Sequence, residues 1–267
     1  MKHILITNDD GFEADGLKAL VEAVQPLGIV TVVAPSSEKS ACGHSITLTR
    51  PLRFIALDDN FYKLDDGTPS DCIYLALHSM FEEKKPDLVI SGINRGANMG
   101  EDITFSGTAR AAMEATLHGI PSFAISQVLK SCEKPIQGID YTLAKKAAFD
   151  IASKLLNGDF PLMHRRFLNV NVPSVSHIEE FKGYQTTKAG YRLYGNDAHR
   201  HNNPRGEEYY WLGLHPLQWD KEKASEFKEI TDFDAVEAKK VSITPIKLDM
   251  TCHDSIKNLR GWVDEIH

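Results

Sequence analysis

Apolar residues run along this chain in two rhythms. Short, near-continuous runs at Ile4-Leu5-Ile6, Gly28 to Ala34, Asp87 to Ser91, Pro121 to Ser126 and Arg166 to Val172 read as strands covered on both faces, as in parallel sheets. Between them lie segments of helical period. Asp15 to Gln25 puts Leu17, Leu20, Val21 and Val24 on one face, and Pro69 to Phe81 turns Cys72, Leu75, Ala76 and Met80 inward. Ala109 to His118 and Tyr141 to Asn157 are the other two. Strands and helices alternating at this spacing predict βαβ units.

Two stretches break the rhythm. Ser45 to Ile55 alternates polar and apolar residues around Pro51, which predicts a hairpin or edge ribbon leaving the main sheet. Beyond Pro173 the chain becomes rich in Tyr, Asn, His and Gly, and Tyr184 to Tyr194 with Tyr209 to Leu214 predicts an extended hairpin arm. A strand at Val241 to Ile246 and a closing helix at His253 to Val263 end the pattern. The expected class is α/β: a Rossmann-like, mostly parallel sheet with flanking helices, plus a C-terminal extended β-hairpin arm and closing helix. Residues 1–172 are expected to form the catalytic core, and residues 173–267 an arm and oligomerisation region that returns a strand and a helix to it.

Composition narrows the function. A chain of 267 residues, 42% hydrophobic and 25% charged, has the make-up of a globular protein with a sizeable core. Its formal net charge of -7 argues against a general binder of DNA or RNA, which needs a basic face to displace counterions. The cysteines Cys42, Cys72, Cys132 and Cys252 show no Cys-x-x-Cys spacing and read as free intracellular thiols. No signal-like or membrane-spanning run is seen, so a cytoplasmic protein without a membrane partner is expected.

The candidate chemistry sits where the first strand stops dead in Thr7-Asn8-Asp9-Asp10-Gly11. Two adjacent carboxylates at the carboxyl end of a strand repel, and a hard divalent cation is the natural occupant. The plain alternative is an Asp-Asp-Gly turn that needs no metal. In a parallel sheet the loop after the second strand (Ser36 to Gly43) and the glycine-rich loop Gly92 to Gly100 reach the same edge. Asp9, Asp10, Ser40 and Asn94 then offer oxygen donors only, which favours magnesium, manganese or calcium over zinc. Ser106-Gly107-Thr108 precedes a helix, whose unpaired N–H groups and positive dipole end suit phosphate. Taken alone, the same triplet is an ordinary N-cap.

Thr7-Asn8-Asp9-Asp10-Gly11, Ala34-Pro35, Ser40-Ala41-Cys42-Gly43-His44-Ser45, Gly67-Thr68-Pro69-Ser70-Asp71-Cys72, Ser91 to Gly100 and Ser106-Gly107-Thr108, in this order, resemble the SurE family of survival-protein nucleotidases. Val241-Ser242-Ile243-Thr244-Pro245 with Asp249 to Thr251 resembles that family's C-terminal end. The resemblance implies a metal-dependent phosphomonoesterase acting on nucleoside 5′- and 3′-monophosphates, with some members also trimming short polyphosphate. It also implies one Mg²⁺ or Mn²⁺ per subunit at Asp9, Asp10, Ser40 and Asn94. Phosphate contacts fall on Asn98, Ser106, Gly107 and Thr108, with Asn8 beside them, and Asp9 is the candidate catalytic base. Cys42 stands where Thr is frequent and Ala97 where Pro is frequent, and neither departure removes a ligand. His199 to Arg205 is harder to align.

Other chemistries fit less well. Haloacid-dehalogenase-like phosphatases want their acids two residues apart, and a receiver domain wants an Asp where this chain has Ser91-Gly92. A nucleotide-binding module would carry Gly-x-Gly-x-x-Gly or a Walker loop, and neither is present. His44, four residues after Ser40, is a candidate for assisting the leaving group, against the plainer reading that it anchors the following ribbon to the backbone. His118 and His164 read as surface or helix-end residues. The aromatics Tyr191, Tyr194, Tyr209, Tyr210 and Trp211 suit a dimerisation arm better than base stacking, so a homodimer or homotetramer is expected.

Overall fold

The computed structural model describes residues 1–129, 138–158, 164–194, 198–212, 218–222 and 228–266. Cys132 and the tail of the Tyr209–Leu214 segment beyond Leu212 lie outside them. In β1 (His3–Thr7) the apolar run alternates between two covered faces. Ile4 and Ile6 join the core under α1 (Asp15–Val24) and α4 (Thr142–Leu156), while Leu5 packs on the opposite side with α2 (Pro69–Ser79) and α3 (Gly107–Leu117). Both sides exclude water, which is why the strand reads as unbroken hydrophobic sequence.

Around β1 run β2 (Ile29–Pro35), β3 (Arg53–Asp58), β4 (Phe61–Asp65), β5 (Leu88–Arg95), β6 (Ser122–Gln127), β7 (Arg166–Val172), β8 (Tyr184–Thr186) and, after α5 (Asp232–Glu237), β11 (Val241–Lys247). Among the described residues they form one nine-stranded sheet in the order β3-β4-β2-β1-β5-β6-β7-β11-β8. Pairing is parallel from β4 through β2, β1, β5 and β6 to β7, antiparallel at β3–β4 and β7–β11, and parallel at β11–β8. Separate from this sheet, β9 (Ala198–Asn202) and β10 (Glu208–Leu212) pair antiparallel with each other. The chain closes with α6 (Ile256–Asp264).

Several expectations are corrected. The hairpin is not Ser45 to Ile55 and does not leave the sheet: it spans Arg53 to Asp65 and extends the sheet edge beside β2. Side chains have captured the earlier segment instead. Asp71 accepts hydrogen bonds from the Thr47 amide (2.8 Å) and hydroxyl (2.6 Å), and the Thr68 hydroxyl donates to the Ser45 carbonyl (2.8 Å). Tyr184 to Tyr194 is no half of the arm either. Its first residues form β8 in the main sheet, and the arm is built from β9 and β10.

The third core strand continues through Gly92-Ile93-Asn94-Arg95, which had been expected to start the glycine-rich loop. The register shifts between Ser91 and Asn94, and Gly92 (φ +143°) lies so close to β6 that a Cβ would stand 2.3 Å from the Ile125 carbonyl oxygen. Only glycine passes there. In α2, Ile73 and Leu77 are fully buried alongside Cys72 and Ala76, while Leu75 and Met80 are only partly buried. The closing segment begins as a 3₁₀ turn at His253–Ser255, and every residue of α6 is exposed.

Candidate functional site

The crevice lies at the carboxyl ends of β1 and β5, where a parallel sheet leaves room between diverging connections. Asn8 and Asp9 follow β1 directly, fully or almost fully buried, and Asp10 is half-buried. The turn is pinned by Asn8, whose amide donates to the Gly11 carbonyl (2.8 Å) while its Oδ1 is buried without a partner.

Asp9 is held by the start of α3. The Thr108 amide donates to Oδ2 (3.0 Å), and the Thr108 hydroxyl donates to Oδ1. Each carboxylate oxygen keeps a further lone pair, so neither bond excludes a cation. The approach is so close that a Cβ on Gly107 would stand 2.9 Å from Asp9 Oδ2 and 3.2 Å from Cys42 Sγ. Burial, opposed by the Thr108 hydroxyl and then reinforced by the Asp10 charge, pushes the Asp9 carboxyl from 3.8 up to about 6. Asp10 is raised as well, chiefly by burial, and its Oδ2 accepts from the Arg95 amide (3.0 Å).

Asn94, at the end of β5, donates through its NH₂ to the Gly96 carbonyl (3.0 Å), which leaves its carbonyl oxygen as the donor for a cation. Ser40 belongs to a loop tied to the same turn, because the Lys39 amide donates to the Asp9 carbonyl (2.7 Å). Its own hydroxyl is exposed and donates to Glu38 Oε1 (2.8 Å), so the structure brings the loop to the carboxylates but turns the Ser40 side chain aside. Among the described residues no group of three or more His, Cys, Asp or Glu is placed to share a metal. A cation here would rest on two carboxylates completed by neutral oxygens, a donor set suited to a hard ion. The raised carboxyl of Asp9 and the orphaned Asn8 oxygen fit such an occupant.

The cradle residues are partly spoken for. Ser106 is the N-cap of α3, its hydroxyl accepting from the Ala109 amide (3.0 Å). With the Thr108 amide on Asp9, the Gly107 N–H is left at the positive end of the helix. Asn98 is 7% exposed, and its amide and carbonyl are bound by side chains of β7, its side chain by Ser126. Those β7 partners, Asn169 and Asn171, were missed. The available signal was two amides at i and i+2 among the apolar residues that follow Arg166 in β7.

His44 is anchored to a side chain of α3. Its Nε2 lies 2.6 Å from Glu114 Oε2, and the other oxygen of that carboxylate lies 3.0 Å from His118 Nε2. Burial pushes the Glu114 carboxyl up, but the two histidines outweigh it and hold it below its ordinary value. This carboxylate joins the loop that carries Ser40 to the helix that carries Thr108. His118 caps the C-terminal end of α3, as expected, and His164 lies far along the chain beside β7, lining with Lys247 and Asp249 an open cavity of about 560 Å³.

Comparison with known proteins extends the site's context to the whole chain. A family model described as survival protein SurE matches residues 4–196. The 5′-nucleotidase SurE of Wolinella succinogenes is 61% identical over 267 residues, covering 98% of this chain and 100% of that protein. The 5′-nucleotidase SurE of Aliarcobacter butzleri is 58% identical over 266 residues, covering 99% and 100%. The crystal structure of the SurE protein from Aquifex aeolicus superposes with a TM-score of 0.81 at 40% identity, covering 98% of this chain and 100% of that one.

Proposed function

This chain belongs to the SurE family, and from that membership we propose that it is a metal-dependent phosphomonoesterase hydrolysing nucleoside 5′- and 3′-monophosphates to nucleoside and phosphate. One observation carries the reading: the buried Asp9 carboxylate, fastened to the start of a helix beside a second carboxylate, with its carboxyl raised to about 6. Such a pair is costly in isolation, and a cation shared with a phosphate would offset that cost.

Asp9, Asp10, Asn94 and, after a turn of its hydroxyl, Ser40 would hold one Mg²⁺ or Mn²⁺. When bound, that ion supplies Lewis-acid polarisation of a phosphate oxygen and acidification of a water. Asp9, the carboxylate nearer the end of β1, takes the proton of the attacking water. The Gly107 N–H at the helix start and the Asn98 side chain face the equatorial oxygens as charge shifts onto them. Thr108 serves mainly through Asp9, holding it in place. In the cell the protein works in the cytoplasm, a placement supported by the free thiols Cys42, Cys72 and Cys252. No helix among the described residues is long and apolar enough to cross a membrane.

The test is phosphate release from a panel of nucleoside 5′- and 3′-monophosphates and a short polyphosphate, with Mg²⁺, with Mn²⁺ and with EDTA. Release from monophosphates that EDTA abolishes is expected. A well-folded protein that releases phosphate from none of them would turn the reading towards a nucleotide-binding module.

A further inference from the structure

A buried amide costs free energy unless every polar atom finds a partner, so amides are rare in the central strands of a sheet. Strand β7 nevertheless carries two, Asn169 and Asn171, both fully buried, where its other buried members are Phe167, Leu168, Val170 and Val172. Being two apart, they share a face. In register, Asn171 lies between Ser126 of β6 and Ser242 of β11, and Ser126 in turn lies beside Asn94 of β5. A row of polar side chains thus crosses four strands, starting from a candidate metal ligand.

The row ends on one loop residue. The Asn98 amide donates to Asn171 Oδ1 (2.9 Å), and the Asn98 carbonyl accepts from Asn171 Nδ2 (3.0 Å) and Asn169 Nδ2 (2.8 Å). The Asn98 side chain donates through Nδ2 to Ser126 Oγ (2.8 Å). Asn171 therefore binds the main chain of Asn98 as a neighbouring strand would, although the segment is a loop. That loop is bracketed by Gly96 (φ +122°) and Gly100 (φ +56°), residues that give it conformational freedom. Asn169 Oδ1 meanwhile stays buried without a partner, a cost that stability alone does not justify.

We propose that Asn171, with Asn169 and Ser126, is a positioning residue for phosphate binding: it fixes the loop so that the Asn98 side chain is already in place when the phosphate arrives. Preorganised donors need no rearrangement at the moment of reaction, and that is what four converging hydrogen bonds from β6 and β7 provide. The inference rests on the reading of Asn98 as a phosphate contact.

The test uses the full chain with Asn98→Ala, Asn171→Ala, the double variant and Ser126→Ala. Each is measured for KM and kcat on a nucleoside 5′-monophosphate, for inhibition by inorganic phosphate, and for Tm. We expect Asn98→Ala to weaken phosphate inhibition and raise KM by about 10-fold, and Asn171→Ala by about 5-fold, with the double variant within about twofold of Asn98→Ala alone. Non-additivity is the signature, because a residue acting through Asn98 has nothing left to position once that side chain is gone. If Asn98→Ala is strongly impaired while Asn171→Ala handles phosphate like the wild type, the positioning role is overturned and the phosphate contact stands. Effects that multiply in the double variant overturn it too. If Asn98→Ala itself is unaffected, both readings fall. Should Asn171→Ala not fold, Ser126→Ala removes a single bond from the same network. It is expected to weaken phosphate inhibition about threefold, and no change there overturns the proposal.

Discussion

The crevice and the hairpin of β9 and β10 treat their side chains in opposite ways. In the crevice Asn8, Asp9, Asn98 and Thr108 are polar and no more than 7% exposed, Asn8 hydrogen-bonded within its own turn and the other three to residues from elsewhere in the fold. In the hairpin Tyr210, Trp211 and Leu212 are 59, 64 and 83% exposed. Folding alone favours neither arrangement, since buried polar groups cost free energy and exposed apolar ones forgo it. The first points inward, to a ligand that the crevice must hold. The second leaves large apolar side chains at the surface.

The sharpest way to break the inward half of that contrast is Asp9→Asn. An amide cannot accept from both the Thr108 amide and hydroxyl through two oxygens, and it offers a cation no charge. Phosphate release should fall by about 1,000-fold or more while the circular dichroism spectrum stays native. A variant that kept a tenth of its turnover would mean that the buried carboxylate is only structural. Gly107→Ala comes next. The added methyl would meet Asp9 Cβ and Oδ2 at 2.9 Å and Cys42 Sγ at 3.2 Å, so the carboxylate must move. A loss of roughly 10- to 100-fold in kcat/KM is expected, because small misplacements of reacting groups are costly.

A smaller effect should appear at the far end of the glycine-rich loop. Asp232, at the start of α5, is fully buried and accepts from the amides of Gly100 (2.8 Å), Gly190 (2.9 Å) and Phe233 (3.0 Å). It therefore ties the loop that carries Asn98 to the C-terminal part of the chain. Burial pushes its carboxyl from 3.8 up to about 6, with those amides opposing. A carboxyl that holds its proton more tightly folded than unfolded makes the folded state bind more protons between pH 4 and 6. Its contribution to stability then falls as pH rises through that window and is flat above it. Urea unfolding of wild type and Asp232→Asn should show a gap that narrows by roughly 2 kcal/mol from pH 4 to pH 7. A constant gap would show that Asp232 is not perturbed.

The sequence made these two regions unequally legible. Adjacent acids after an apolar run are a local signal, and so is the period of α1, so β1, the crevice edge and the first helix were readable from a few residues each. The hairpin at Arg53 to Asp65 was not. What decides its place is Asp71 binding Thr47 and Thr68 binding Ser45, contacts between residues 23 and 24 positions apart. Glu114 was invisible for the same reason: a lone acid in an alanine-rich helix, it finds its partner His44 70 residues away. In the arm, tyrosines marked an extended segment but not its pairing, because exposed aromatics carry no inside or outside from which a register follows.

That ambiguity makes the arm the place for the smallest predicted effect. Tyr210, Trp211 and Leu212 stand exposed on β10, and Leu259, Trp262 and Val263 add an apolar stripe on the fully exposed α6. If these surfaces are covered by a second copy of the chain, the wild type should sediment as a dimer or tetramer at micromolar concentration. Trp211→Asp should shift the population towards monomer. Because Trp211 takes no part in the core or the crevice, stability measured below the dissociation concentration should change by no more than about 0.5 kcal/mol. Turnover per chain should stay within about twofold, as expected of a surface substitution far from the reacting groups. A wild type that is strictly monomeric would refute the outward half of the contrast. A Trp211→Asp variant that lost turnover in step with its dimer would join the two halves, showing that the crevice needs the neighbouring chain to be complete.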